Sequence, residues 1–354
     1  MRIKLPSLLI PKTVKRKTEK MNTDILKIEP KSIDIAAELL RKDEIVAIPT
    51  ETVYGLAGNG LSPNAVKKIF EAKGRPNDNP LILHISSVDW LYRYAEKIPE
   101  LALTLAERFW PGPLTMIMSK KSIVPKETSG GLDTVAFRMP KSPWTLKLIE
   151  TCDFPLAAPS ANLSGLPSPT RAGYVYNDMK GKIPLIIDGG QCSYGLESTV
   201  ITFTEKGVKI LRPGGVTAEM LSQFCETEID KAVTEGLKDT DKALSPGMKY
   251  KHYSPKAEVF IVECNDDEGF AVFVNENSDE NTIVLAKKAE NIKAKTLPYG
   301  KSAKQEAETL FASLRKADEM GAKKIYVHAP SKEGIGLAVY NRLIRAAAFK
   351  VIKL

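Results

Sequence analysis

The chain reads as an α/β protein with two domains: a larger one on a mixed sheet, then a smaller C-terminal one with α/β/α layers. Three observations predict this. A length of 354 residues is long for one hydrophobic core. From about residue 25 to 217, strand and helix patterns alternate, with strands outnumbering the helices between them. From residue 257 a second alternating series begins. The expected divisions are a basic tail over 1–24, a catalytic-sized domain over 25–217, a linker over 218–256 and the smaller domain over 257–354.

In the first domain, SIDIAAELLRKDE has apolar residues at helical spacing with Ser32 as its cap, and IVAI is a short buried strand. SPNAVKKIFEAKG carries its own punctuation: Ser62 as N-cap, Pro63 in the first turn and Gly74 as the stop. LILHI is a strand, followed by helical VDWLYRYAE and PELALTLAERFW and a Pro-Gly-Pro break. LTMIMS, TVAFRM, PLAAP, PLIID, STVITF and VKILR read as further strands, so the sheet is expected to be mixed. In the second domain EVFIVE, TIVLAK and KKIYVHAP are strands. SAKQEAETLFASLRKADEMG and GLAVYNRLIRAAAFK are helices, a Rossmann-like pattern. Gly334-Ile-Gly336 lies where a dinucleotide loop would lie, but Val339 replaces the third glycine, and a plain helix start is the simpler reading.

Composition narrows the function classes. The hydrophobic share of 43% and charged share of 27% describe an ordinary globular protein, and no run of ~18 apolar residues marks a membrane span. Cys152, Cys192, Cys225 and Cys264 form no CxxC pair, which argues against a disulfide framework or zinc site and fits a cytoplasmic location. Much of the net charge of +8 sits in MRIKLPSLLIPKTVKRKTEK; the remainder is nearly neutral, weak grounds for nucleic-acid binding. That segment reads as a disordered or spurious tail, with a targeting role as the alternative.

Small polar and charged residues follow several strand ends, where open α/β sheets collect ligands. IPTETVYGLAGNG packs Thr50, Glu51, Thr52 and Tyr54 between apolar runs. KGRPNDNPLILH places Lys73 and Arg75 around a helix-ending glycine, then Asn79 and His84. Such cations suit a helix C-terminus, and they also suit phosphate oxygens. APSANLSG presents Ser160, Asn162 and Ser164 without the GxSxG pattern of a nucleophile elbow. Arg138 and Arg212 stand late in apolar strands, which requires either an internal ion pair or an anionic ligand. Cations and hydroxyls without a nucleophile or metal cage suit phosphoryl or nucleotidyl transfer.

Taken together, PTETVYGL, KGRP with NPL and LH, TVAFRMP, APSAN, GLESTV, ILRPG, SPGMKYKHYSP and NRLIRAA resemble one family. It is threonylcarbamoyl-AMP synthase in its long form, with a YrdC-like N-terminal domain. The resemblance implies a nucleotidyltransferase making L-threonylcarbamoyl-AMP and pyrophosphate from L-threonine, bicarbonate or CO₂, and ATP. It also implies Mg²⁺ carried with the ATP, no protein metal cage, and downstream proteins that transfer the threonylcarbamoyl group to tRNA. By the same resemblance, Thr52, His84, Arg138, Ala158 and Ser198 surround the threonine, with Arg138 on its carboxylate. Arg75, Asn79, Thr134, Ser160, Ser168 and Arg212 contact ATP. Lys73, Arg75, Ser160 and Asn162 form the catalytic set, and Tyr253 in the linker closes over the nucleotide as part of a lid. The rival reading is a double-stranded RNA-binding or ribosome-assembly module; weak RNA binding is also compatible with the synthase. A carbamoyl-adenylate activity of hydrogenase maturation would require acylphosphatase and zinc-finger segments that the sequence lacks.

Overall fold

The computed structural model describes residues 21–76, 79–235 and 253–354. These residues form two sheets. The larger has eleven strands with parallel and antiparallel pairings interspersed, and the smaller has five parallel strands. The mixed first domain and the parallel, helix-covered second domain both match the expectation from the sequence.

Local signals fix several boundaries. Helix Pro63–Lys73 starts at Ser62, whose hydroxyl accepts from the Ala65 amide, and ends at Gly74 in the left-handed conformation, φ 63°. The first helix differs from its reading. It spans Pro30–Arg41, with Glu29 at the cap and Ser32 inside the first turn. The Ser32 hydroxyl still serves the helix start, accepting from the Glu29 amide at 3.1 Å and donating to the Glu29 carbonyl at 2.7 Å.

Two expected boundaries shift. Residue 24 belongs to the fold, because strand Asp24–Lys27 pairs in parallel with Leu185–Asp188 at the sheet edge; residues 1–20 lie outside the described residues. The linker expected from 218 also begins with structure. Helix Ala218–Leu221, strand Glu226–Ile229 and helix Ala232–Glu235 continue the first domain, the strand pairing with Gly207–Arg212. Its polar surface masked it in the sequence: an exposed edge strand needs few apolar residues. Residues 236–252, with most of SPGMKYKHYSP, lie outside the described residues.

The site is positioned by register. His84 pairs with Arg138, Arg138 with Thr115, Thr115 with Val200, and Val200 with Arg212. Direct register partners share a sheet face, so this row across five strands sets His84, both arginines and Thr115 on one side.

The second domain docks on the first through buried arginines. Arg315, on helix Ala303–Glu319, donates to Asp178 at 2.7 and 3.1 Å and to the Pro167 carbonyl. Arg342, on helix Gly334–Ala346, pairs with Glu197 at 2.8 Å, and Asn341 donates to the Val233 carbonyl at 2.6 Å. Gly334 opens an ordinary helix, as the simpler reading held. Removing one partner of a buried pair leaves an uncompensated charge. Arg315→Ala is expected to cost about 3–5 kcal/mol in a denaturant titration; a loss below about 1 kcal/mol would show that the pair is not a structural tie.

Candidate active site

The cleft lies where the row of register partners meets three loops. One wall is the loop between strands Val46–Ile48 and Gly55–Asn59. There Thr50 Oγ1 lies 2.9 Å from Thr52 Oγ1 and donates to the Val53 carbonyl at 2.6 Å. The second wall is the loop after Leu156–Ala157, held by Leu56 N to Pro159 O at 2.7 Å and Ala161 N to Tyr54 O at 2.8 Å. The third contains Glu197 and Ser198, just before strand Thr199–Phe203.

Most of the residues singled out in the sequence converge here. Thr52, His84, Arg138, Ala158 and Ser198 line the cleft together, as do Arg75, Ser160, Asn162, Ser168, Arg212 and Tyr253. Three residues do not. Lys73 lies beneath the second wall, its Nζ donating to the Ser160 carbonyl at 2.5 Å and the Asn162 carbonyl at 2.9 Å. That geometry makes it a clamp on the loop that carries Ser160 and Asn162. Asn79 is fully buried outside the lining, and its side-chain amide has no hydrogen-bond partner among the described residues. Thr134 begins the strand that Arg138 ends, four residues or roughly 13 Å away. A position quoted from a motif does not say which side of a wall it occupies.

The arginines are held in different ways. Arg138 donates from Nη2 to Glu51 at 2.7 Å, and the second Glu51 oxygen accepts from the Lys141 amide at 3.0 Å. The ion pair considered for Arg138 therefore exists, yet the guanidinium still borders the cleft. Arg212 binds the Ser198 carbonyl at 3.0 Å and its hydroxyl at 3.1 Å, while Ser198 Oγ also meets Thr115 Oγ1 at 2.7 Å. Burial foremost pulls Arg212 down to about 10. His84, buried and next to Arg138, is pushed down to about 3 and is neutral near pH 7.

Glu197 and Arg342 are contributions that the sequence reading quoted within motifs but gave no role. Arg342, fully buried, also donates to the Pro213 carbonyl and Asn341 Oδ1, and the other Glu197 oxygen accepts from Ser168. Burial alone would raise the Glu197 carboxyl; Arg342, Arg212 and the Ser168 hydroxyl together hold it below its ordinary value. One available signal was an arginine inside the apolar stretch LAVYNRLIRAAA. Tyr253 comes from the far end of the linker. It adopts φ 63°, stacks on Phe311 at 5.2 Å, and lies under the Arg342 guanidinium at 5.7 Å. Ser254 N donates to the Gly165 carbonyl at 2.8 Å, tying the same segment to the first domain. A left-handed tyrosine costs about 1 kcal/mol or more and persists only where packing fixes it.

Fold and site thus define an α/β protein with a buried, arginine-lined cleft, one wall of which is backed by Arg342 of the second domain through Glu197. Residues 38–214 match the family described as Telomere recombination (Sua5, YciO and YrdC proteins), and 216–348 match Threonylcarbamoyl-AMP synthase, C-terminal domain. The threonylcarbamoyl-AMP synthase of Pyrococcus abyssi is 47% identical, over 92% of this chain and 97% of its own. That of Bacillus subtilis is 41% identical, over 94% and 97%. The structure of P. abyssi Sua5 complexed with L-threonine superposes with a TM-score of 0.87 at 46% identity, covering 94% of this chain and 99% of that one. The chain belongs to the threonylcarbamoyl-AMP synthase family.

Burial first, then the Arg75 charge, brings the Lys73 ammonium from its ordinary 10.5 down to about 7. The unfolded chain therefore holds a proton that the folded one has released between pH 7 and 10.5. Stability should rise with pH across that window, and below it the cost of burying the charge is fully present. Comparing Lys73→Met with the unaltered chain in denaturant titrations isolates this slope, approaching about 1.4 kcal/mol per pH unit. Parallel profiles would mean that Lys73 titrates normally.

Proposed function

We propose that the chain joins L-threonine, bicarbonate or CO₂, and ATP into L-threonylcarbamoyl-AMP and pyrophosphate. The carrying observation is the single cleft in which Arg75, Arg138 and Arg212 border a neutral His84 and a set of hydroxyls. Family membership supports the reading, as does the threonine bound to the P. abyssi relative.

In this account Arg138, oriented by Glu51, receives the threonine carboxylate, for which a planar fork of donors is suited. Thr52, His84, Ala158 and Ser198 enclose the rest of the amino acid. Neutral His84 adds no positive charge beside the threonine amine. The deprotonated amine attacks the carbon of bicarbonate or CO₂. Carbamate formation releases water from bicarbonate, or a proton when CO₂ is used. A carbamate oxygen then attacks the ATP α-phosphorus, and the α–β bridging oxygen departs with pyrophosphate. Arg75 and Arg212, with Ser160 and Ser168, meet the polyphosphate charge, while Lys73 keeps the 160–162 loop in place. Fixed donors in a dry site stabilise the charge on the transferring group. Tyr253 shields the nucleotide side of the cleft from water.

The donor set fits a phosphate-borne Mg²⁺. Among the described residues no group of three or more His, Cys, Asp or Glu is arranged to hold a metal, and Glu197 is already engaged by Arg342 and Ser168. Bound to the triphosphate, Mg²⁺ would neutralise part of its charge. The product would pass to proteins that transfer the threonylcarbamoyl group to tRNA. Among the described residues no helix is long and apolar enough to cross a membrane, and we place the activity in the cytoplasm.

The test is pyrophosphate release from ATP with threonine and bicarbonate omitted in turn. Release is expected to require both. In Arg138→Lys, which keeps the charge beside Glu51 but loses the fork, the threonine KM should rise about tenfold or more with ATP affinity retained. Release needing neither co-substrate would reduce the cleft to a nucleotide hydrolase. No release, with salt-sensitive RNA binding, would favour the RNA-binding rival.

A further inference from the structure

Two hydroxyl pairs in the cleft run in a fixed direction. A hydroxyl has one hydrogen to give and two lone pairs to receive with. Thr115 is fully buried, and among the described residues its Oγ1 bonds one atom, Ser198 Oγ at 2.7 Å. Distance alone allows either oxygen to donate. Burial decides between them. Were Ser198 the donor, the Thr115 hydrogen would have no partner away from water, at the full cost of its desolvation. Thr115 therefore donates. Ser198 Oγ also accepts from Arg212 Nη2 at 3.1 Å, so both its lone pairs are used. What Ser198 keeps is its hydrogen, on the wall of the cleft. Thr115 is also the register partner of Arg138, which brings a second guanidinium to the same row.

The first wall is fixed with the reverse polarity. Thr50 Oγ1 gives its one hydrogen to the Val53 carbonyl at 2.6 Å. Its 2.9 Å contact with Thr52 Oγ1 is therefore a bond donated by Thr52, and the Thr52 amide donates to the same oxygen at 3.2 Å. Thr52 lines the cleft, is fully buried and has spent its hydrogen, so it offers lone pairs only.

We infer that Thr115 and Thr50 are positioning residues that set the hydrogen-bond polarity of the amino-acid subsite: Thr115 makes Ser198 a donor, and Thr50 makes Thr52 an acceptor. The inference rests on the proposed use of L-threonine. The threonine carboxylate, held by Arg138, receives the Ser198 hydrogen. The amine gives an N–H to Thr52, which has no hydrogen to return. The nitrogen lone pair is thus left free for the carbamate-forming attack described above, whereas a donor hydroxyl at that place would occupy it.

The test is calorimetric binding of L-threonine and of ATP, together with turnover, for Thr115→Val, Thr50→Val and the serine variant of each. Circular dichroism has to match the unaltered chain; cysteine, a weaker donor of similar size, replaces valine wherever the valine variant does not fold. Thr115→Val is expected to weaken L-threonine binding about tenfold, with ATP binding unchanged. Thr50→Val is expected to keep the L-threonine Kd within about twofold while kcat falls about tenfold. Serine at either position, which keeps the hydroxyl, should restore the behaviour of the unaltered chain. Valine variants with unaltered Kd and kcat overturn the inference, and so do serine variants that fall as far as valine, since packing and not the hydroxyl would then matter. Because binding is read without turnover, an unaltered chain that binds L-threonine yet releases no pyrophosphate overturns the proposed reaction alone; one that binds no L-threonine overturns both.

Discussion

The buried pair between Glu197 and Arg342 is the constraint on which the cleft depends. Two charges taken out of water are tolerable only when every donor and oxygen is used. Here Arg342 spends its donors on both the Glu197 carboxylate and the Glu197 carbonyl, on Pro213 and on Asn341, and Glu197 gives its second oxygen to Ser168. The next residue, Ser198, is then fixed between Thr115 and Arg212. An arginine 145 residues away in the chain thereby holds the cleft's third wall from behind. The second domain is part of the site's architecture.

The electrostatics follow from that closure. Lys73, Arg75, Arg138 and Arg212 are all buried in one region. Mutual repulsion and lost hydration make such crowding expensive unless anionic groups oppose it. Glu51 and Glu197 meet this cost by opposing Arg138 and Arg342. His84 adds no charge, because burial and Arg138 keep it neutral. The cleft thus combines fixed cations with a neutral imidazole face.

Much of this was legible in the sequence where the signal is local. Ser62, Pro63 and Gly74 mark a helix correctly because capping is decided within a few residues. Apolar runs such as TVAFRM mark strands for the same reason. The row from His84 to Arg212 was not legible, since register is set by pairings between distant segments. The motifs therefore singled out Arg138 and His84, which line one cleft, but could not show that Lys73 grips the loop from below or that Thr134 sits at the far end of its strand. The strand Glu226–Ile229 was missed because an exposed edge resembles a linker in composition. Tyr253 sets its ring at the junction of the two domains, packed on Phe311 and under Arg342, a placement its sequence position alone does not show.

The central claim is that Arg342 of the second domain organises the catalytic cleft of the first. The most direct measurement is threonine- and bicarbonate-dependent pyrophosphate release by Arg342→Lys, in protein whose circular dichroism matches that of the unaltered chain. Lysine keeps the charge opposite Glu197 but cannot reproduce the fork of donors. The account predicts that kcat/KM for ATP falls about tenfold or more, or at least ~1.4 kcal/mol of transition-state stabilisation. Unaltered kinetics in that variant would contradict it, and the second domain would be an attachment to a cleft the first domain builds by itself.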